Sequence, residues 1–230
     1  MKKTVSVAPM MDCTDKHEIY FLSLISKNVP LYTEMIVANA IIRGDRKKLL
    51  SFKKIQNPVA LQVGGSNESE LAEACKISEQ YGYKEINLNL GCPSKKVQKN
   101  KFGACLMQEP KLVARCIESM AKATKLPITI KTRIGYNEVE DFEFLKSFIQ
   151  TTKDAGSQKF IIHARKALLK KLTPKENLNI PPLKYDFVYK LKDFFKNDEI
   201  IINGGIKTSG DIKNHLKKVD GVMIGRAIYH

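Results

Sequence analysis

Cys92 is the residue whose neighbours best equip it for chemistry. It follows Asn87-Leu88-Asn89-Leu90-Gly91 and precedes Pro93. Side chains alternate along a strand, so Asn87 and Asn89 share one face and Leu88 and Leu90 the other. Gly91 ends the strand, and Pro93 stiffens the exit by fixing its own φ. A thiol thus stands just past a strand end, beside two inward amides. The polar loop that follows carries Lys95, Lys96, Lys99 and Lys101 before small residues return at Gly103 and Ala104. This reads as a site. The alternative is a buried structural cysteine on a strand-to-helix turn, the commoner fate of a lone thiol.

Other candidates close other apolar runs: Pro9, Met10 and Met11; Glu34; Gln62; Lys131 and Arg133; His163 and Arg165; Asn203, Gly204 and Gly205; Gly225 and Arg226. The last two groups suit a phosphate, which glycine N–H groups and a helix N-terminus bind well. Arg226 adds a charged fork. Gln62, Lys131 and His163 across the mouth, with Met10 and Met11 as soft surface for a ring face, complete a fit to a flat cofactor with a phosphate tail. Taken singly, His163 could be a satisfied core histidine and Lys131 a snorkelling surface lysine.

These residues need elements that bring them to one rim. Apolar runs at residues 6–10, 31–35, 58–62, 85–90, 128–131, 159–163, 199–203 and 221–224 alternate with helical patterns at 15–26, 38–50, 69–81, 110–123, 139–156, 185–195 and 209–218. Ser66 is the cap expected before the third helix, Pro110 opens the fourth and Gly156 stops the fifth. Such alternation predicts a parallel sheet covered on both faces, and eight repeats predict a closed (β/α)8 TIM barrel of α/β class. Active residues gather at the C-terminal strand ends of a barrel. The runner-up is an open doubly wound sheet, but no Gly-x-Gly-x-x-Gly follows the first strand. The sequence stops at His230. The barrel is therefore expected to be C-terminally incomplete after strand 8, with bare apolar outer faces near Val5 and Val222.

At 230 residues the chain suits one core. No apolar run approaches the roughly 18 residues of a membrane span, and Met1 to Met10 lacks the core of a signal peptide. Cysteines at 13, 75, 92, 105 and 116 form no Cys-x-x-Cys. That argues against a disulfide framework and a zinc site, and for a reducing, cytoplasmic setting. A net charge of +15 attracts polyanions. Basic residues concentrate at 95–101 and 165–175, directly after candidate strands, so basic loops on one rim suggest a nucleic-acid footprint.

In order along the chain stand Ala8-Pro9-Met10-Met11-Asp12, Leu31-Tyr32-Thr33-Glu34-Met35, Asn87 to Pro93, Lys131-Thr132-Arg133-Ile134-Gly135, His163-Ala164-Arg165-Lys166-Ala167, Thr173-Pro174-Lys175-Glu176-Asn177 and Ile202-Asn203-Gly204-Gly205-Ile206. Together they resemble the tRNA-dihydrouridine synthases, most closely their A-type bacterial branch. The resemblance runs from Ser6 to Tyr229. It implies that residues 1–230 are an FMN-binding catalytic barrel. In the family a tRNA-binding helical domain follows the barrel, and this sequence does not contain it.

The resemblance also implies a two-step reaction. NADPH reduces FMN; the reduced flavin passes hydride from N5 to C6 of a flipped-out uridine in the tRNA D-loop, at position 20 or 20a. Cys92 gives a proton to C5 from the other face. An ordinary thiol, with a pKa of about 8.5, is mostly protonated at neutral pH and suits that task. Family FMN contacts fall on Pro9, Met10, Met11, Gln62, Lys131, His163, Asn203, Gly204, Gly205, Gly225 and Arg226. Lys131 suits negative charge on the reduced ring. Asn89 matches the position that contacts the uridine, Lys175 matches a tRNA-contacting position, and Arg133 is a further substrate candidate. Leu178 stands where the A-type pattern carries Arg, which removes one phosphate contact. The implied partner is tRNA, with no metal and no membrane, and a monomer is expected. A flavin barrel of the dihydroorotate dehydrogenase sort, acting on a small molecule, shares the phosphate site but leaves the basic loops unexplained. An inactive truncated fragment is the remaining alternative. Alone, the barrel is expected to bind tRNA weakly and with steep salt dependence.

Overall fold

The computed structural model describes residues 3–229, so Met1, Lys2 and His230 lie outside it. The apolar runs are parallel strands: β1 (Thr4–Val7), β2 (Leu31–Val37), β3 (Val59–Gly64), β4 (Glu85–Leu90), β5 (Ile128–Arg133), β6 (Lys159–His163), β7 (Glu199–Asn203) and β8 (Gly221–Ile224). They close into one barrel in sequence order, with β8 paired back onto β1 from Thr4↔Gly221 to Val7↔Ile224. Closure excludes the open sheet. The helices are α1 (Lys16–Ile25), α2 (Ala38–Arg43), α3 (Arg46–Leu50), α4 (Glu68–Ser78), α5 (Lys95–Lys99), α6 (Pro110–Ala123), α7 (Phe142–Asp154), α8 (Tyr185–Phe194), α9 (Ser209–Leu216) and α10 (Arg226–Tyr229).

Strand alternation divides the core in two. Ala8, Tyr32, Ala60, Ile161, Ile201 and Met223 pack together inside the barrel. The intervening positions, such as Leu61, Ile86, Leu88, Ile130 and Ile202, face outward into the helices. On α6, Val113, Cys116, Ile117 and Met120 are buried at i, i+3, i+4 and i+7, one stripe of a 3.6-residue period. Each aliphatic side chain buried in full contributes about 1.5–3 kcal/mol.

Several local expectations give way to tertiary or capping effects. The strand expected over 6–10 ends at Val7, because Pro9 has no N–H for the ladder. Pro9, Met10 and Met11 therefore sit on a loop, where Met10 N donates to Thr14 Oγ1 at 2.9 Å. The helix expected over 38–50 breaks at Gly44, a poor helix former, and Asp45 restarts it by accepting from Lys48 N. Asn67, not Ser66, caps α4 by accepting from Glu70 N at 3.0 Å. The polar loop after Cys92 contains α5 and a 3-10 stretch over Gly103–Gln108. α7 starts at Phe142, capped by Asp141, because a tight turn joins Tyr136 to Val139. The bare outer face expected near Val222 is not bare: Val222 is fully buried and Val5 partly so. A helical turn, α10, follows β8, and its Ile228 packs on the core. Large apolar side chains that do face solvent include Phe21, Leu24 and Ile25 of α1.

Candidate active site

Cys92 sits on a turn held from several sides. Asn89 Oδ1 accepts from Gly91 N at 3.1 Å and Cys92 N at 2.9 Å. Ala104 N donates to Cys92 O at 2.9 Å. Gly103, at φ +75°, allows that approach, since a Cβ there would stand 2.7 Å from Cys92 O. The thiol is partly buried, and burial pushes its pKa up. The Ser94 backbone N–H and the charges of Arg133 and Lys131 pull the other way and lose. Cys92 is thus a protonated thiol at neutral pH. Cys75 and Cys116 are buried within the helical layer, where burial takes them to about 12 and about 11; they are structural. All five cysteines are free.

Across the mouth, Lys131 Nζ donates to Asn203 Oδ1 at 3.0 Å, and Asn203 Nδ2 donates to Met223 O at 2.8 Å. Burial, and then the charge of Arg133, lower the Lys131 pKa to about 7. His163 is also buried, and burial followed by the charges of Arg133, Lys131, Arg165 and Arg226 holds it well below the usual histidine value. It is a neutral imidazole. Gln62 lies deeper, with Nε2 donating to Asn87 Oδ1 and Oε1 accepting from Asn89 Nδ2, both at 2.8 Å.

Glycine backbone and two arginines, Arg165 and Arg226, gather at the ends of β6, β7 and β8. Gly204 and Gly205 have φ of +113° and +71°. A Cβ on Gly204 would lie 2.6 Å from His163 Cδ2, and one on Gly205 would collide with Leu183. Arg165 turns Nη1 to Pro181 O, while its Nε is buried with no partner. An unpartnered buried N–H beside glycine backbone and a second arginine fits an anionic tail. Arg226 is exposed and donates to Asn179 Oδ1 at 3.0 Å. Met10 Sδ lies 3.7 Å from the place of a Cβ on Gly225, at the same corner, and Met11 is exposed. Thr208 and Asp211 form a capping box on α9, where Asp211 Oδ2 accepts from Lys207 N and Thr208 N, and the short α10 opens at Arg226, directly after Gly225.

The basic loops meet on the same rim. Lys95, Lys96, Lys99, Lys101, Lys170 and Lys175 are exposed. Gln98 Nε2 donates both to Pro93 O at 2.8 Å and to Leu169 O at 2.9 Å, tying the β4 loop to the β6 loop. Lys166 and Lys184 instead pair with Glu140 at 3.1 and 3.3 Å. Buried Asn177 organises the β6 loop: Nδ2 donates to the carbonyls of Leu168, Leu172 and Thr173, and Oδ1 accepts from Leu168 N. Arg133 is not an open substrate contact as expected. It is buried, with Nε on Gly91 O and Nη1 on Lys166 O and Asn177 O. No group of three or more His, Cys, Asp and Glu placed to hold a metal occurs among the described residues. No helix among them is long and apolar enough to cross a membrane. Asn177 is the site residue that the motifs alone did not single out, although it lies in one of them.

A family model described as "Dihydrouridine synthase (Dus)" matches residues 6–230. The chain belongs to the dihydrouridine synthase family. Among relatives of known name, the tRNA-dihydrouridine(20/20a) synthase of Synechocystis sp. is 52% identical over 225 residues, covering 98% of this chain and 67% of that protein. The enzyme of the same name from Shewanella oneidensis is 50% identical over 229 residues, 100% of this chain and 68% of that protein. Relatives in this dihydrouridine synthase group are thus longer. A solved structure, "QR15, an Aldolase", superposes with a TM-score of 0.60 at 12% identity, covering 96% of this chain and 88% of that one. That likeness concerns the barrel fold alone.

Proposed function

We propose that this chain reduces uridine in the D-loop of tRNA to 5,6-dihydrouridine, with FMN as its cofactor and NADPH as electron donor. The observation that carries the reading is the Cys92 thiol, kept protonated by burial on a rigid turn beside Asn89. A reduction across C5 and C6 of uracil needs one hydride and one proton. When bound, reduced FMN supplies the hydride. Cys92 gives its thiol proton to C5, and the thiolate left behind is met by the nearby charges of Arg133 and Lys131.

The other residues bind and orient. Gly204, Gly205, Gly225, Arg165 and Arg226 hold the phosphate of FMN. Pro9, Met10 and Met11 line the ring's edge, and Gln62, Lys131, His163 and Asn203 present their polar atoms to the ring. His163, being neutral, can accept as well as donate. Asn89 meets the uracil, while Lys175 and the neighbouring lysines take backbone phosphates. The setting is cytoplasmic.

The test begins with the absorbance spectrum of the purified protein and of its released cofactor. Dihydrouridine is then measured after incubation with NADPH and unmodified tRNA, or with free uridine and dihydroorotate. Flavin and a tRNA product support the reading. Turnover of the free pyrimidines alone moves the chain to a small-molecule flavin barrel, and absence of flavin under reconstitution defeats both.

A further inference from the structure

The interior of the barrel is not uniformly apolar. Glu85, Asn87 and Asn89 alternate along β4 and all face inward, where Thr129 of β5 and Gln62 of β3 meet them in register. Their hydrogen bonds form one unbroken line from floor to mouth. Lys159 Nζ holds Glu85 Oε2 at 2.6 Å. Thr129 Oγ1 donates to Glu85 Oε1 at 2.6 Å, and Asn87 Nδ2 donates to Thr129 Oγ1 at 2.8 Å. Gln62 Nε2 donates to Asn87 Oδ1, and Asn89 Nδ2 donates to Gln62 Oε1. Asn89 Oδ1 finally accepts from the backbone N–H of Cys92.

The line has a single direction. At the mouth a backbone N–H can only donate. On the floor a carboxylate paired with an ammonium can only accept. Every amide and the hydroxyl between must therefore point the same way, donor downward and acceptor upward. Gln62, Asn87 and Thr129 are each 1% exposed or less, so no water stands ready to replace a lost link. With one Nδ2 hydrogen spent on Gln62 and Oδ1 spent on the turn, Asn89 has one N–H left for a ligand. Gln62 likewise has one Nε2 hydrogen unspent.

We propose that Thr129 and Asn87, which lie below the mouth, are positioning residues. Through this one-directional relay, anchored on Glu85, they fix Gln62 and Asn89 as hydrogen-bond donors toward whatever the mouth binds, and they brace the turn that carries Cys92. The site thereby favours a ring edge that offers acceptor atoms, such as carbonyl oxygens. The substrate named above enters only through the proposed function; the relay stands on its own geometry.

The experiment uses the full chain as purified. In this protein, 15N-labelled, the side-chain amides of Gln62 and Asn87 are expected to be as rigid as backbone, with order parameters of about 0.85. Values below about 0.6, typical of free side chains, overturn the relay. Thr129→Val removes the hydroxyl and should shift the Gln62 and Asn89 amide resonances. It should lower kcat for tRNA by roughly ten- to a hundredfold while KM stays within about twofold. Thr129→Ser restores the hydroxyl and should restore both. If Val and Ser behave alike, or if the amides shift and kcat does not, the positioning role is wrong. The rigidity measurement needs no variant, so it decides the matter even if Thr129→Val fails to fold. Absence of any tRNA product in the wild-type chain defeats the proposed function and leaves the amide measurements to judge the relay.

Discussion

Lys131 on β5 reaches past β6 to Asn203 on β7, its Nζ donating to the amide oxygen at 3.0 Å. Two strands that share no ladder are thus joined across the mouth by one ammonium, whose pKa burial lowers to about 7. The sign of its effect on stability follows. Below pH 7 the lysine is charged in both the folded and the unfolded chain. From about 7 to the unfolded value of about 10.4, the unfolded chain holds a proton that the folded chain lacks. Stability of the ligand-free protein should rise through that window by at most about 1.4 kcal/mol per pH unit, and by less where water at the mouth screens the charge. Lys131→Met should be the more stable protein at pH 6–7, with the gap closing toward pH 10. Urea midpoints for both proteins at four pH values check this; a gap that widens with pH refutes it.

Cys92→Ala should lower dihydrouridine formation by about 10²–10⁴-fold, the usual contribution of a general acid. Flavin content and oxidation of NADPH should stay near wild type. Because burial raises the thiol pKa, iodoacetamide should label Cys92 more slowly at pH 8 than it labels a free thiol, with the rate still climbing above pH 9. Mass spectrometry of the labelled peptide reads the rate. Fast labelling at pH 7 would mean a thiolate, and the proton-donor role would go.

Gly204→Ala and Gly82→Ala make a matched pair. Both glycines have positive φ, +113° and +85°, so each substitution strains the backbone by roughly 1–3 kcal/mol. Only at Gly204 does the new Cβ also strike His163, whereas nothing lies within 4 Å at Gly82. Thermal melts should show both variants weakened. Only Gly204→Ala should lose flavin on gel filtration, and retention of a full complement would place the phosphate elsewhere.

Asn177→Ala removes four side-chain hydrogen bonds from the β6 loop. Amide hydrogen exchange over residues 166–180 should accelerate while the strands stay protected. Affinity for tRNA should fall as the loop carrying Lys175 loses its shape. Unchanged exchange across the loop would show that Arg133 alone suffices to hold it.

Lys175→Ala should weaken tRNA binding without touching flavin content. The slope of log affinity against log salt should drop by about one phosphate contact. An unaltered slope would remove Lys175 from the RNA footprint.

Much of this arrangement is readable from sequence because barrel architecture repeats a local pattern. Strands buried on both faces read as Ile- and Val-rich runs, and the residues that end them must lie on one rim. That logic finds Cys92, Lys131 and His163. It fails where a residue's fate depends on distant partners. Arg133 sits two residues beyond Lys131 and reads as a second open cation. Three carbonyls from residues 91, 166 and 177 claim it instead, and no spacing records their convergence. The polar alternation of Glu85, Asn87 and Asn89 stands plainly in β4, but its direction emerges only once Thr129 and Lys159 are seen beneath it.

Gln98 gives the rim a further property. One side-chain amide grips Pro93 O, next to Cys92, and Leu169 O, in the loop that leads to Lys175. Loops that move separately must each be stilled when a ligand arrives, and each loss of freedom subtracts from affinity. Here the lip that carries the thiol and the lip that carries the exposed lysines Lys170 and Lys175 were stilled together when the chain folded. A long, flexible polyanion therefore meets a surface whose two halves keep a fixed spacing, a ruler against which its own shape is measured.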